Sequence, residues 1–161
     1  MKNKGVLGRY LLLKPSTRMV IEWPILIGVG VAGTIFSFPT IPFYPATNIF
    51  GFILLIIGFW IHGLSHKVHR QAHEQAQSIE KIVTSGIYSK IRHPGYLGLL
   101  LTFFGFAFAW GIVWIFIPVL ILSILYYLTA IKEEEYLLRK FGKEYEEYIR
   151  QVPRRFIPKT L

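Results

Sequence analysis

The sequence predicts an all-α, polytopic membrane protein with four transmembrane helices and a cytoplasmic amphipathic C-terminal tail. Three observations support this prediction. Hydrophobic residues make up 53% of the 161 residues and charged residues only 17%, whereas a soluble domain carries about 25% charged residues. The hydrophobic residues are concentrated in long runs. All 18 lysines and arginines lie outside those runs.

The first half of the sequence predicts two spans, because a helix needs about 20 apolar residues to cross the hydrocarbon core. Residues 19–38 provide the first span, which is interrupted only by Glu22 and Pro24 and follows a basic arm at residues 1–18. A linker with three prolines, which cannot continue a helix, leads to the second span at residues 46–64. The arm has no evident signal-peptide cleavage site, and we expect it to stay in the cytoplasm.

The longest run without any charge covers residues 96–131. As a single helix it would be about 54 Å long at 1.5 Å per residue, whereas the hydrocarbon core is about 30 Å thick. A helical hairpin that turns near residues 109–111 fits the bilayer better. We therefore expect a third span at residues 96–109 and a fourth at residues 111–131.

The positions of the basic residues predict the orientation of these spans. With four spans, every lysine and arginine falls on one side, in the arm, in the segment at residues 65–95 and in the tail at residues 132–161. Because cytoplasmic loops are enriched in lysine and arginine, we expect both termini in the cytoplasm. Topology and anionic lipid headgroups also account for the net charge of +9, so we expect the lipid bilayer as a partner and no nucleic acid.

Four histidines follow one another at helical spacing where the second span ends: His62, His66, His69 and His73. Steps of four, three and four residues place them on one helical face, and such a pattern can chelate a metal ion. The sequence has no cysteine, one further histidine and no carboxylate at a matching spacing on another span. We therefore predict a structural role and no metal site, with metal binding and contact to a substrate or cofactor as the alternatives.

Two other polar clusters flank the predicted hairpin. Arg92 and His93 come just before it, where the first turn of a helix has free N–H groups and a positive dipole end that favour an anionic ligand. Glu133, Glu134 and Glu135 come just after it. Because a hairpin returns to the side it left, the two clusters can meet. The alternatives are a membrane-anchoring arginine and a solvated turn of glutamates.

These clusters together resemble the isoprenylcysteine carboxyl methyltransferase family and its phospholipid methyltransferase relatives. The pattern consists of Arg92-His93-Pro94-x-Tyr96-x-Gly98, an apolar hairpin and then Glu133-Glu134. The flanking segments resemble the family as well: Thr84-Ser85-Gly86-Ile87-Tyr88 before it, and after it Glu133-Glu134-x-x-Leu137-x-x-x-Phe141-Gly142-x-Glu144-Tyr145-x-x-Tyr148, Val152-Pro153-Arg154 and Ile157-Pro158. The resemblance covers roughly residues 82–158, about half of the chain.

The resemblance implies an integral membrane methyltransferase with an S-adenosylmethionine pocket between the last two spans and the cytoplasmic tail. It implies Arg92 and Glu134 as catalytic residues and the following residues as cofactor-binding: Tyr88, Arg92, His93, Tyr96, Gly98, Glu133 and Glu134. The cofactor's carboxylate would meet Arg92 and His93, and its ammonium a glutamate. Aromatic rings would face its sulfonium. The implied acceptor is lipid-like or prenylated and enters from the bilayer.

Two alternatives from other functional classes remain at this point. One is a membrane lipid reductase that uses NADPH, because sterol reductases have a related C-terminal half but are longer and have more spans. The other is a non-enzymatic membrane module that binds a metal or assists assembly. Binding of S-adenosylhomocysteine, NADPH or zinc would distinguish the three.

Overall fold

The computed structural model describes residues 8, 10, 11, 13–68 and 79–157. Within these residues the protein is all-helical, as predicted, and the β-type pairing is limited to an isolated bridge between Thr40 and Ile112. The α-helices are α1 (Pro15–Ile35), α2 (Ala46–Val68), α3 (Pro94–Trp110), α4 (Phe116–Phe141) and α5 (Lys143–Gln151). Short 3₁₀ turns at Gly86–Ser89 and Val113–Ile115 precede α3 and α4.

Among the described residues, three helical segments are long and apolar enough to cross a membrane: most of α1, all of α2, and Val113–Phe141, which contains α4. Their outer faces expose large apolar side chains such as Val20, Trp60 and Ile124. Such faces are stable against lipid and not against water. Helix α3 is apolar but has 17 residues, about 26 Å at 1.5 Å per residue. The chain is therefore an integral membrane protein with three full-length apolar helices and a shorter fourth.

Helix α1 begins at Pro15 rather than at residue 19 and ends at Ile35 rather than at residue 38. Proline is favourable in the first turn of a helix, where its missing N–H would have no intrahelical partner. Shortly after the helix, Ser37 adopts a φ of 53°, a left-handed conformation that ends helical geometry. Arg18, which was expected in a cytoplasmic arm, therefore lies inside α1, and its side chain is completely buried.

Helices α2 and α3 pack backbone against backbone at glycines. A Cβ atom built at Gly58 would lie 2.7 Å from the carbonyl oxygen of Gly98, and one built at Gly105 would lie 2.6 Å from the backbone nitrogen of Leu55. Real side chains do not approach backbone atoms this closely. The two helices therefore depend on small residues at this interface, as is common in membrane helix pairs.

Helix α3 ends at Trp110, where the predicted hairpin turns. Gly111 caps it with a φ of 83°, which glycine adopts without steric cost. The connection is tied to the loop after α1 by two backbone hydrogen bonds, from Ile41 N–H to the Gly111 carbonyl (2.8 Å) and from Val113 N–H to the Pro39 carbonyl (3.0 Å). The loops at this end of the helices therefore support each other.

Helix α4 continues to Phe141, well beyond the predicted end of the fourth span at residue 131. The extension is rich in Glu, Lys, Leu and Arg, which favour helix, and Gly142 ends it with a φ of 53°. Helix α5 then packs back against the extension and the segment before α3. The buried members of this small apolar core are Ile79, Leu137, Tyr145, Tyr148 and Val152.

Candidate active site

A cleft opens where residues 79–93, the start of α3, the end of α4 and helix α5 meet. Its empty space amounts to about 670 Å³, which includes open solvent at the mouth of the cleft. The lining residues are His62, Ile79, Lys81, Ile82, Val83, Tyr88, Arg92, His93, Gly95, Tyr96, Leu99, Glu133, Leu137, Tyr145 and Tyr148. The cleft therefore brings together residues from both polar clusters that flank the hairpin.

Five residues that the resemblance assigned to the cofactor line this cleft: Tyr88, Arg92, His93, Tyr96 and Glu133. The other two lie elsewhere. Glu134 is buried behind the cleft wall, with only 4% of its surface exposed. Gly98 faces α2, because a Cβ atom built on it would lie 2.7 Å from the backbone nitrogen of His62. Its geometry is that of a helix-packing residue.

Glu134 is the centre of a buried ionic cluster. Its Oε1 accepts hydrogen bonds from Arg92 Nε (2.9 Å) and His93 Nε2 (3.0 Å), and its Oε2 accepts one from Arg155 Nε (2.9 Å). A buried carboxylate requires such partners, because desolvation of an unpaired charge costs several kcal/mol. With three donors already present, Glu134 holds the side chains of the cleft wall in place and has little capacity left for a ligand.

Arg92 is also fixed by the C-terminal segment after α5. Its Nη1 donates to the carbonyl of Val152 (2.6 Å). The backbone N–H groups of Arg92 and His93 donate to the carbonyls of Arg154 (3.0 Å) and Arg155 (2.9 Å). Nη2 makes no hydrogen bond to any described residue, and Arg92 forms part of the cleft wall. Arg92 therefore has a donor group that can serve an anionic ligand.

Tyr96 connects the aromatic part of the site to Glu133. Its hydroxyl donates to Glu133 Oε2 (2.9 Å). The His93 ring lies parallel to the Tyr96 ring, with centroids 5.5 Å apart, and the Tyr126 ring lies 5.3 Å from Tyr96. Glu133 is partly exposed in the cleft wall, and a carboxylate has about four lone-pair sites. It can therefore accept a cationic ligand group in addition to the Tyr96 hydroxyl.

Further tyrosines form an aromatic wall of the cleft. The Tyr88 hydroxyl lies 2.7 Å from Ser65 Oγ, and the Tyr148 hydroxyl donates to the Tyr88 carbonyl (2.8 Å). Burial raises the pKa of Tyr88 to about 12, and burial also raises the pKa of Tyr145 above its ordinary value. Both phenols are therefore neutral at physiological pH and present uncharged rings and hydroxyls.

The histidine stripe is described only in part. His62 lines the cleft, with Nδ1 3.2 Å from the Gly95 carbonyl oxygen, and its ring packs edge-on against His66 at 5.0 Å. His69 and His73 lie outside the described residues. Within the described part of the chain no group of three or more potential ligands is arranged to hold a metal ion. The absence of a metal site remains a prediction.

A second buried ionic cluster was not predicted from the sequence. Arg18 and Glu22 of α1 are both fully buried, and Arg18 Nε donates to Glu22 Oε1 (3.2 Å). Tyr126 of α4 donates its hydroxyl to Glu22 Oε2 (2.7 Å). The sequence did offer a signal for this cluster, namely two opposite charges four residues apart at the start of an apolar run. Ionisable residues within membrane helices are usually functional.

Arg155, which follows the quoted Val152-Pro153-Arg154, was also missed by the sequence analysis.

Comparisons with known sequences place the chain in a family. The family model described as phospholipid methyltransferase matches residues 46–144. A probable protein-S-isoprenylcysteine O-methyltransferase of Oryza sativa subsp. japonica is 29% identical over 125 residues, 71% of this chain and 63% of the rice protein. The protein-S-isoprenylcysteine O-methyltransferase of Schizosaccharomyces pombe is 34% identical over 76 residues, 45% of this chain and 31% of the yeast protein.

A Delta(14)-sterol reductase of Mus musculus is also similar, at 32% identity over 84 residues, 48% of this chain but 19% of the mouse protein. The chain thus spans less than two-thirds of the length of each of these relatives. The family match nevertheless extends over more than half of the chain and includes both Arg92 and Glu134. Together with the cleft that these matched segments build, it shows that the chain belongs to the phospholipid methyltransferase family.

Proposed function

We propose that the protein transfers a methyl group from S-adenosylmethionine to a lipid-like or prenylated acceptor at the cytoplasmic face of the membrane. The observation that carries this proposal is the cleft itself, in which Arg92, Glu133 and several tyrosine rings face one space beside the membrane helices. A zwitterionic cofactor with a sulfonium has a complementary group for each of them. The rice and S. pombe relatives, which are named as isoprenylcysteine O-methyltransferases, support the same class of reaction.

The residues present fit the cofactor. Arg92 Nη2 would meet its carboxylate in a charge-assisted hydrogen bond. Glu133 would meet its ammonium, because Glu134 is already occupied by three donors. The rings of Tyr88 and Tyr96 would hold the sulfonium, since aromatic faces attract cations. The ionic roles are thus divided, with Glu133 facing the ligand and Glu134 supporting Arg92 from behind.

When bound, S-adenosylmethionine supplies a methyl group that is already activated, and no protein nucleophile is required. The task of the protein is to align the acceptor with that methyl group and to exclude water. The segment after α5 contributes to exclusion, because it pairs with the backbone of Arg92 and His93 and places the Phe156 ring 5.9 Å from the His93 ring. Arg92 therefore acts as a ligand-binding residue and Glu134 as the residue that orients it.

We further propose that α3 is a fourth span, which places the cleft on the cytoplasmic side. Helix α3 packs along α2 at its glycines, and α2 is long enough to cross the membrane. In this arrangement every lysine and arginine except Arg18, which is buried in α1, lies on one side, in agreement with the positive-inside rule. A lipid-like acceptor can then reach the cleft laterally from the bilayer, while the cofactor enters from the cytoplasm.

Calorimetry on detergent-purified protein tests the proposed function. We expect saturable binding of S-adenosylhomocysteine, and none of NADPH or zinc. Glu133→Gln should weaken S-adenosylhomocysteine binding about ten- to a hundredfold, because a hydrogen bond to a charged group contributes about 1.5–3 kcal/mol. The matched control is Glu135→Gln, an exposed glutamate on the same helix, which should bind like wild type.

Two results would contradict the proposal. The first is wild-type protein that binds no S-adenosylhomocysteine. The second is equal binding by the Glu133→Gln and Glu135→Gln variants, which would show that Glu133 in the cleft wall does not bind the ligand. Saturable binding of NADPH in place of S-adenosylhomocysteine would favour the reductase alternative, to which the partial similarity of the mouse sterol reductase points.

A further inference from the structure

We propose that Arg18 and Glu22 of α1, together with Tyr126 of α4, are positioning residues that set the place of Tyr96 in the cleft. This inference rests on the proposed function and extends it to a helix with no assigned role. Helix α1 lies outside residues 46–144, which match the family model, and none of the described residues that line the cleft belongs to it.

Glu22 is the centre of the cluster. Its Oε1 accepts hydrogen bonds from the Tyr10 hydroxyl (2.5 Å) and Arg18 Nε (3.2 Å), and its Oε2 accepts one from the Tyr126 hydroxyl (2.7 Å). Arg18 also donates Nη1 to Thr129 Oγ1 (2.8 Å). Because Tyr126 and Thr129 belong to α4, these contacts fix α1 to α4 with a defined geometry rather than by apolar packing alone.

Tyr126 connects this cluster to the cleft. Its hydroxyl is held by Glu22, and the Arg18 guanidinium lies 4.1 Å from the centre of its ring, so the ring is held both at its edge and at its face. The Tyr96 ring packs against it at 5.3 Å, and the Tyr96 hydroxyl donates to Glu133. The contacts of α1 thus fix the Tyr126 ring, and the Tyr126 ring in turn packs against Tyr96 in the cleft wall.

Stability alone does not account for this cluster. Replacing a buried ion pair by well-packed apolar residues is often neutral or stabilising. Arg18 Nη2, moreover, is buried without a hydrogen-bond partner among the described residues, which is unfavourable. Apolar side chains would hold α1 against α4 at lower cost. What the polar contacts add is a fixed orientation of the Tyr126 ring, because its hydroxyl is bonded to Glu22 and the Arg18 guanidinium lies over its face.

A small displacement of Tyr96 has a large expected effect in the proposed function. Its hydroxyl orients Glu133, the residue assigned to the ammonium, a group that S-adenosylhomocysteine shares with S-adenosylmethionine. The hydrogen bond between Glu133 and the ammonium weakens steeply when its distance and angle depart from their preferred values. Loosening Tyr126 should therefore weaken cofactor binding, although Tyr126 itself does not line the cleft.

Tyr126→Phe tests the inference, because it removes the hydroxyl bound to Glu22 and keeps the ring. We expect the S-adenosylhomocysteine affinity to fall about three- to tenfold, the range for one lost hydrogen bond. The matched control, Tyr136→Phe, makes the same change at a half-buried tyrosine of the same helix and should leave the affinity unchanged. Calorimetry is performed at a temperature at which all variants are folded, so a purely structural role would lower the melting temperature without changing the affinity.

A double-mutant cycle with Tyr96→Ala tests whether Tyr126 affects cofactor affinity through the Tyr96 ring. In that background Tyr126→Phe should change the affinity by less than about twofold, because the ring through which it acts is gone. An equal loss in both backgrounds would overturn the inference, as would wild-type affinity in Tyr126→Phe. If Tyr96→Ala does not fold, the comparison of Tyr126→Phe with Tyr136→Phe decides. Absence of S-adenosylhomocysteine binding in wild-type protein would instead overturn the proposed function.

Discussion

Arg92 and Arg155 allow the effect of burial to be separated from the effect of contact geometry. Both donate an Nε–H to Glu134, and both N···O distances are 2.9 Å. Their environments differ, because the Arg92 side chain is 4% exposed and the Arg155 side chain 34%. We therefore expect Arg92→Ala to destabilise the protein much more than Arg155→Ala.

The expected magnitudes follow from this difference in exposure. Removing one partner of a buried ion pair costs about 3–5 kcal/mol. Arg155 is partly exposed, and without it Glu134 keeps its hydrogen bonds to Arg92 and His93, so we expect its loss to cost about 1 kcal/mol, the upper value for an exposed pair. For a chain of this length each kcal/mol shifts the melting temperature by about 2–4 °C. Arg92→Ala should thus lower the melting temperature by about 6–20 °C and Arg155→Ala by at most about 4 °C.

Thermal unfolding followed by circular dichroism in detergent measures both variants under the same conditions. Calorimetry below the unfolding transition adds a second comparison. Arg92→Ala should weaken S-adenosylhomocysteine binding about ten- to a hundredfold through loss of a charge-assisted hydrogen bond, and Arg155→Ala should have little effect. Equal melting temperatures for the two variants would refute the reasoning that burial, rather than contact distance, determines the contribution of each arginine.

Three further predictions concern the membrane domain. Reporter fusions to the two termini should both report a cytoplasmic location, and an external signal from the C-terminus would exclude the four-span topology. Gly58→Ala should lower the melting temperature, because its Cβ would lie 2.7 Å from backbone atoms of α3. Gly63→Ala should leave it unchanged, because a Cβ there meets no atom within 4 Å. Equal shifts in the two variants would refute the close packing of α2 against α3. Replacing His66 and His69 by glutamine should release no metal, and loss of stoichiometric iron or zinc measured by mass spectrometry would overturn the structural role.

The secondary structure of the membrane domain was largely predictable because it depends on local sequence. Long apolar runs must form helices in lipid, where every backbone polar group needs an internal partner. Proline and glycine positions then limit each helix, as at Trp110, where α3 ends next to Gly111. The apolar run that defined the fourth span ends at residue 131, and α4 continues as a helix to Phe141, because the residues that follow the run also favour helix. A helix can continue from lipid into water without a change in backbone geometry.

The sequence predicted some of the residues that line the cleft, but it did not predict what each of them contacts there. The family resemblance pointed to Arg92, His93, Tyr96 and Glu133, which the fold gathers in one cleft. The resemblance assigned both Glu133 and Glu134 to the cofactor and named Glu134 as catalytic, whereas in the structure Glu133 lies in the cleft wall and Glu134 is bonded to protein donors behind it. Their difference depends on the direction in which each side chain points from α4 and on the donors it meets there. Arg155 is one of those donors, and the sequence gives no local signal for such a contact.

The sequence by itself determined that the chain is a helical membrane protein of a methyltransferase family. Composition, the positions of charged residues and the order of motifs can be read without knowing which residues are in contact. Tertiary structure decided that Gly98 packs against α2, that Glu134 pairs with Arg92 and Arg155, and that Arg18 and Glu22 connect α1 to Tyr126. Each of these facts depends on burial and on pairing between residues far apart in sequence. Such pairing is fixed only when the helices pack and remove charged groups from water.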